Sequence, residues 1–321
     1  MMSGLGHEVF LYASEENEAK VTELIPCITT TQQEEMLKDE LWWPEQYYKI
    51  PFKDDFPIWE YFNNQAVVEL KKRVKKGDYV LMSAGASQKE IYHAFPYNTI
   101  EFAVGYEGIL ARYRVFESYS WMHHVYGLKQ IKAGAPTDAV IPNYYDIADF
   151  PLSSQKDNFL LFMSRPVRGK GINTVLEIAK RTKTPVVVAG AEKVTGEYVD
   201  YVGYADTNKR GILMSKAKAL LAPTLGIEPF GGVVAEAQLC GTPVITTDWG
   251  AFTETVEQYK TGFRCRTIEQ FVGACGMVDK LNYIYIRNRA RDLFSTETAA
   301  KQYERYFQRL KQYIDAGVIL S

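Results

Sequence analysis

Asn158-Phe159-Leu160-Leu161-Phe162-Met163 leads into the loop Ser164-Arg165-Pro166-Val167-Arg168-Gly169-Lys170-Gly171 and then into a helical pattern over Ile172 to Arg181. An apolar run with no polar alternation is the signature of a strand buried on both faces. The theme repeats along the chain. Pro185 to Gly190 and Tyr198 to Val202 read as the next strands, followed by a helix near Asn208 to Ser215 and the strand Ala219-Leu220-Leu221-Ala222. A helix near Gly232 to Cys240 and the strand Pro243-Val244-Ile245-Thr246 close the series. Alternation of this kind predicts a parallel sheet with helices on both faces, and ligands of such sheets bind beyond the C-terminal ends of the strands.

Outward from this core the first half is less regular. Trp59, Phe62, Ala66, Leu70 and Val74 recur every three or four residues, then Gly77 and Tyr79-Val80-Leu81-Met82 follow, which predicts a helix, a glycine stop and a strand. The turn-rich stretch from Ile141-Pro142-Asn143 to Gln155 reads as an interdomain segment. At the other end Ala300, Tyr303, Phe307, Leu310 and Ile314 form a narrow apolar stripe that should dock on a domain surface. The expected division is residues 1–152, residues 153–298 and a terminal helix over residues 299–321.

Composition removes several classes of function. The 321 residues are 46% hydrophobic and carry 37 Lys+Arg against 39 Asp+Glu, a net charge of -2, so no broad positive field exists for nucleic acid. No basic-then-apolar leader opens the chain and no apolar run approaches a membrane span, so a cytoplasmic protein is expected. Cys27, Cys240, Cys265 and Cys275 show no paired spacing, as expected of free core thiols. His123 and His124 are adjacent and would point about 100° apart on a helix, and His93 has no ligand at a metal spacing, so no metal site is expected.

The chemistry gathers around Glu228-Pro229-Phe230-Gly231-Gly232-Val233-Val234-Ala235-Glu236. Pro229 disfavours helix at Glu228, and Gly231 and Gly232 leave the first amides of the following helix open to a diphosphate. Glu236 lies among small and apolar residues, where an ionised carboxylate needs donors such as vicinal sugar hydroxyls. The plain alternative is a solvated helix residue beside glycines that only permit tight packing. In the 164–171 loop, Arg165 and Lys170 are the cations best placed to meet a diphosphate, and a solvated basic loop is the corresponding plain alternative.

At this point the C-terminal half resembles the retaining GT-B glycosyltransferases of family 4, from about Ile141 to Arg266. The resemblance rests on Ile141-Pro142-Asn143 with Asp146 and Phe150, on Arg165 and Lys170, and on Glu228 spaced eight from Glu236. Gly241-Thr242-Pro243-Val244-Ile245 and Asp248 with Gly250 and Glu254 continue it. It implies an α/β fold of two facing Rossmann-like domains, with the last helix crossing back to the N-terminal domain. It further implies a metal-independent transferase that moves a sugar, with retention, from a UDP- or GDP-sugar to a glycan or lipid-linked acceptor. Carried over, Arg165 and Lys170 bind the donor diphosphate and stabilise its departure, Glu236 takes the ribose hydroxyls, and Glu228 contacts the transferred sugar. Phe230, Gly231 and Gly232 border the diphosphate or sugar, while Gly203 borders the nucleobase. No separate cofactor is implied.

Many family members place a histidine after the strand that corresponds to Glu101-Phe102-Ala103-Val104, where this chain has Gly105-Tyr106-Glu107. No N-domain catalytic residue is therefore assigned, and a degenerate nucleotide-sugar-binding subunit stands beside a non-hydrolysing sugar-nucleotide epimerase as an alternative. Gly6-His7-Glu8-Val9 resembles a segment that the family places after an opening strand and helix. The N-terminal domain is thus expected to lack its first βα unit, unless another segment fills that place or the chain is a fragment. Lys71-Lys72-Arg73 with Lys75-Lys76 could give a weak peripheral membrane contact, although clustered lysines also suit a helix end. Gly4-Leu5-Gly6 lacks the third glycine of a dinucleotide fingerprint, and Gly169-Lys170-Gly171 departs from a P-loop at both ends.

Overall fold

A computed structural model describes residues 1–42, 47–48, 56–153 and 155–317. The chain divides into two compact units. The first takes in the described residues of Met1–Phe116, Gly127–Ile141 and Ala300–Ser321, the second Glu117–Tyr126 and Pro142–Ala299.

In the first unit β1 (Phe10–Ser14) and β2 (Glu23–Ile28) pair in parallel as a two-stranded sheet. The helix α1 (Thr30–Leu37) starts at a reciprocal cap: the Thr29 hydroxyl accepts from the Gln32 amide at 3.2 Å, and the Gln32 side chain accepts from the Thr29 amide at 3.0 Å. The short strands β3 (Leu41–Trp42) and β4 (Tyr47–Tyr48) form an antiparallel pair. The helix α2 (Pro57–Arg73) begins on a proline and buries Ile58, Ala66 and Leu70. It ends at an extended Val74, whose amide still closes the last turn on Leu70, so the chain leaves the helix before the expected glycine stop.

The strands β5 (Val80–Met82), β6 (Thr99–Val104), β7 (Tyr113–Phe116) and β8 (Ala139–Val140) make a second parallel sheet in that order, with α3 (Lys89–Ala94) between the first two. The helix α4 (Tyr119–Leu128) follows β7, and most of it belongs to the second unit. Among the described residues no strand pairs with both β1 and β5.

The Glu101 side chain is wholly buried on β6. Its carboxylate accepts the amides of Leu110 and Ala111, each at 2.9 Å, and the Tyr106 hydroxyl at 2.8 Å. Burial nevertheless outweighs these donors and pushes the carboxyl above the ordinary glutamate range. A raised folded value means that the native chain holds the proton more tightly than the unfolded one. The group therefore lends stability below the ordinary value of 4.5, and this is lost as pH rises through the folded value. Glu101→Gln can keep all three bonds, with the amide oxygen facing the two N–H groups and the Tyr106 hydroxyl turned to accept. Its thermal midpoint at pH 7 is expected to equal or exceed that of the parent, with a smaller fall between pH 4.5 and 7. Glu101→Ala orphans the donors and should cost about 2–3 kcal/mol in the same melts.

The second unit is one six-stranded parallel sheet. Its strands are β9 (Leu160–Met163), β10 (Val186–Ala189), β11 (Val199–Tyr201), β12 (Ala219–Ala222), β13 (Val244–Thr247) and β14 (Gly262–Cys265), in the order β11-β10-β9-β12-β13-β14. The crossovers include α5 (Ile172–Thr182), α6 (Thr207–Lys216), α7 (Gly232–Leu239) and the short α8 (Phe252–Thr255), and α9 (Ile268–Cys275) and α10 (Tyr283–Phe294) follow the sheet. Side chains alternate across it as strand geometry demands. Leu160, Phe162, Val186 and Val188 face one core with Val175, Ile178 and Phe271, while Leu161, Met163, Leu220 and Val244 face another with Val234, Leu239 and Phe294. Burial on both faces explains why these strands read as unbroken apolar runs.

The last helix, α11 (Thr296–Asp315), contributes residues from Ala300 onward to the first unit. Tyr303 and Leu310 are buried as the stripe predicts, and Phe307 stacks on Tyr79 at 5.2 Å. The buried face is turned slightly from the predicted one. Tyr306 is inside, donating its hydroxyl to the Thr137 carbonyl at 3.0 Å, whereas Ile314 is exposed. No helix among the described residues is long and apolar enough to cross a membrane.

Candidate functional site

In the second unit the chain leaves β9 toward β10 on one side, and from β12 it runs toward β13 on the other. That reversal opens a crevice between the loops that follow β9 and β12. The two loops are tied together by the Leu225 amide, which donates to the Gly169 carbonyl at 2.9 Å. From the first loop comes Lys170, from the second Glu228, and they form an ion pair of 2.6 Å with side chains 27% and 14% exposed. Lys170 therefore stays reachable while it neutralises a carboxylate that burial would otherwise penalise.

Behind Glu228 the chain turns into α7. Gly231 is left-handed, with φ of 80°, and Phe252 packs so closely on it that an added Cβ would lie 2.6 Å from the ring. The first amides of α7, at Gly232 and Val233, have no carbonyl within the helix to bind. The Tyr145 hydroxyl and the Glu236 Oε1 converge on this turn, at 2.7 and 3.9 Å from where a Cβ of Gly232 would stand. The Glu236 Oε2 is held by Arg210 from α6. Burial raises the Glu236 carboxyl above its ordinary range and Arg210 only partly offsets this, while burial and the nearby Glu236 raise the Tyr145 phenol.

The crevice is braced from two further elements. The Ala251 amide donates to the Glu228 carbonyl at 3.0 Å, and the Trp249 indole donates to the Gly226 carbonyl at 3.2 Å. At the start of α4 the Ser118 hydroxyl donates to the Pro229 carbonyl at 2.6 Å, and the amides of Tyr119 and Ser120 donate to the Glu254 carboxylate at 3.0 and 2.7 Å. Glu117, one residue earlier, accepts from the Asn143 side-chain amide at 2.7 Å.

Lys170, Glu228, Gly231, Gly232 and Glu236 thus stand on the crevice loops and the first turns of α7, as the sequence predicts. Arg165 is exposed on the same loop as Lys170 and forms no ion pair among the described residues. Gly203 follows β11, two strands from β9, and its carbonyl accepts the Gly190 amide at 3.0 Å. The Phe230 side chain is 2% exposed and meets the Phe294 ring edge-on at 5.5 Å, which leaves only its backbone for a ligand. Arg210 and Tyr145 escape sequence reasoning, whereas Glu117 belongs to the stretch Arg114 to Tyr119, which the family resemblance places at a site wall without assigning it a role. Only Glu117 carries a signal, a carboxylate placed directly after the apolar end of a strand, Val115-Phe116. His123 and His124 lie on α4 beside the rings of Tyr119 and Trp121.

Residues 146–272, which contain the crevice from Lys170 to Glu254, match the family of glycosyl transferases group 1. Among curated proteins the chain is similar to glycogen synthase of Mycobacterium tuberculosis, 27% identical over 147 residues. That stretch is 39% of this chain and 35% of the relative, so the match spans about a third of the relative's length. Solved structures match much more of the chain. AviGT4, a glycosyltransferase involved in avilamycin A biosynthesis, aligns with a TM-score of 0.60 at 22% identity over 77% of this chain and 78% of its own. Anabaena HepE in complex with UDP and glucose aligns with a TM-score of 0.61 at 16% identity over 80% and 84%. The fold is GT-B. Two Rossmann-like α/β domains of the GT-B type are what the sequence predicts, and the crevice lies in the one that the group 1 match covers.

Proposed function

We propose that this chain is a glycosyltransferase that moves a sugar from a nucleoside-diphosphate sugar to an acceptor hydroxyl, with retention at the anomeric carbon. The observation that carries the reading is the meeting, at one reversal point of the sheet, of the Lys170–Glu228 pair with the open first turn of α7 and the buried Glu236. A diphosphate needs cations and unbonded amides; Lys170, Arg165 and the amides of Gly232 and Val233 supply both. A ribose offers vicinal hydroxyl donors, and Glu236 keeps Oε1 toward that space while Arg210 holds Oε2. Glu228 then lies on the sugar side of Lys170, and Gly203 beside the base. UDP- and GDP-sugars are the donors proposed, in keeping with the UDP held by the Anabaena structure, and a glycan or lipid-linked hydroxyl is the acceptor.

In the transfer step the bond from the anomeric carbon to the diphosphate oxygen breaks and the bond to the acceptor oxygen forms on the same face. The acceptor's proton passes to the departing diphosphate. Lys170, Arg165 and the α7 amides lower the barrier by meeting the charge that develops on the leaving oxygen. Calorimetric titration with UDP, GDP and their sugars tests the assignment. One nucleoside diphosphate should bind, and Lys170→Ala should weaken it about 10- to 100-fold while changing the affinity for the bare nucleoside less than about threefold. Equal losses for both ligands would show that Lys170 supports the loop and does not hold phosphate. Absence of binding by any nucleoside diphosphate would end the reading.

A further inference from the structure

The side chain at position 117 is a carboxylate that takes no part in capping α4. The start of α4 is already served, because the Ser118 hydroxyl accepts the Trp121 amide at 3.0 Å and Glu254 takes the amides of Tyr119 and Ser120. Glu117 turns away from that helix end toward Asn143, whose amide reaches only Oε1. Among the described residues it has no cation. It is half-buried, and burial, then the negative charge of Glu228, raise its carboxyl above the ordinary range.

Its position is also tightly fixed. Ser118 is bonded to the Pro229 carbonyl and the Ser120 hydroxyl donates to the Gly250 carbonyl at 3.0 Å, so the segment carrying Glu117 is fastened to both loops that shape Glu228. Two carboxyl groups, one relieved by Lys170 and the other only by a neutral amide, leave a strong demand for hydroxyl donors between them. A polyhydroxylated ring supplies such donors.

We propose that Glu117 is a sugar-recognising residue of this site, accepting a hydroxyl of the transferred glycosyl group on Oε2 while Glu228 accepts another. The assignment rests on the donor reading above and adds a specificity determinant to it. Nothing in this role touches the nucleotide, so its signature is confined to the sugar.

The test titrates the parent, Glu117→Ala and Glu117→Gln with UDP, UDP-glucose and the monodeoxy-glucose analogues of UDP-glucose, and repeats the set with GDP and GDP-mannose. For the nucleotide that the parent binds, Glu117→Ala should leave nucleoside-diphosphate affinity within about twofold and weaken the intact sugar nucleotide about 10- to 100-fold, the range for a hydrogen bond to a charged group. Glu117→Gln should recover part of that loss, because the amide can still bond a hydroxyl. One monodeoxy analogue should bind parent and Glu117→Ala alike, which names the hydroxyl concerned. If Glu117→Ala weakens UDP and UDP-glucose equally, the residue serves the fold of the crevice and the proposal is overturned. Unchanged affinity for both ligands overturns it as well, with the donor reading intact. A parent that binds no nucleoside diphosphate removes both.

Discussion

Gly231→Ala is expected to cost on the order of 3 kcal/mol, against about 1 kcal/mol for Gly203→Ala, although the two glycines have nearly the same backbone conformation. Their φ angles are 80° and 76°. A Cβ in the left-handed region costs roughly 1–2 kcal/mol wherever it occurs. What separates the positions is space. Nothing lies within 4 Å of a Cβ at Gly203, whereas at Gly231 it would stand 2.6 Å from the Phe252 ring, which is 1% exposed and has no room to retreat. Overpacking of this kind adds roughly 1–3 kcal/mol. Thermal melts should therefore shift by about 2–4 °C for Gly203→Ala and by about 6–12 °C for Gly231→Ala, using the usual conversion for units of this size. Gly231→Ala should also weaken donor binding, since relief of the clash with Phe252 must shift the turn that presents the first amides of α7. Equal shifts for the two variants would mean that Phe252 is free to yield.

The second large effect concerns the ion pair within α6 and α7. Arg210→Ala leaves Glu236, 9% exposed at its side chain, without its cation. Removal of one partner of a buried pair costs about 3–5 kcal/mol, and the partial exposure of Arg210 lowers the figure for this case to about 2–3 kcal/mol at pH 7. The sign of the pH dependence follows from the proton. Burial already raises the Glu236 carboxyl, and without Arg210 it rises further, so the folded variant increasingly takes up a proton that the unfolded chain releases above the ordinary value of 4.5. The deficit of Arg210→Ala should thus shrink as pH falls toward 4.5 and grow as pH rises from there. Adding Glu236→Gln should restore most of the stability at pH 7 but not the affinity for a ribose-bearing ligand. Chemical denaturation of the two single variants and the double variant at two pH values reads all three statements. A deficit independent of pH would show that Arg210 acts through packing.

The contrast between what sequence revealed and what it concealed has a physical origin. The strands β9, β10, β12 and β13 of the second unit lie between two apolar layers, so each reads locally as an apolar run and its limits fall within a residue or two of those predicted. Lys170 and Glu228 were legible because each stands on a short loop directly after such a strand. The edge strand β11 is also read, although Asp200 on it is exposed, whereas β14, interrupted by Arg264, is not among the strands the sequence predicts. Arg210 and Tyr145 had no local signal: one lies in the first turns of an ordinary helix, the other in a turn-rich linker, and only the folded chain brings them to Glu236. The end of α2 was misplaced for a related reason. An extended Val74 ends the helix by its own backbone, so the glycine three residues later shapes the turn and does not stop the helix.

The second unit is discontinuous in the chain, since Glu117–Tyr126 belong to it although residues 127–141 do not. This imposes a schedule on biosynthesis. Ser118 bonds a residue 111 positions later, and Tyr119 and Ser120 bond Glu254 across 135 and 134 positions. At translation speeds of roughly 5–20 residues per second, the start of α4 waits about 6–27 seconds for its partners to be made. The helix carries Trp121 and Val125, both buried in the finished protein. Loop closure over such distances is entropically slow, so the segment joins late in folding. A nascent chain halted before residue 229 would carry this helix as a surface suited to capture by chaperones, and the crevice, whose brace it forms, would be among the last parts of the molecule to mature.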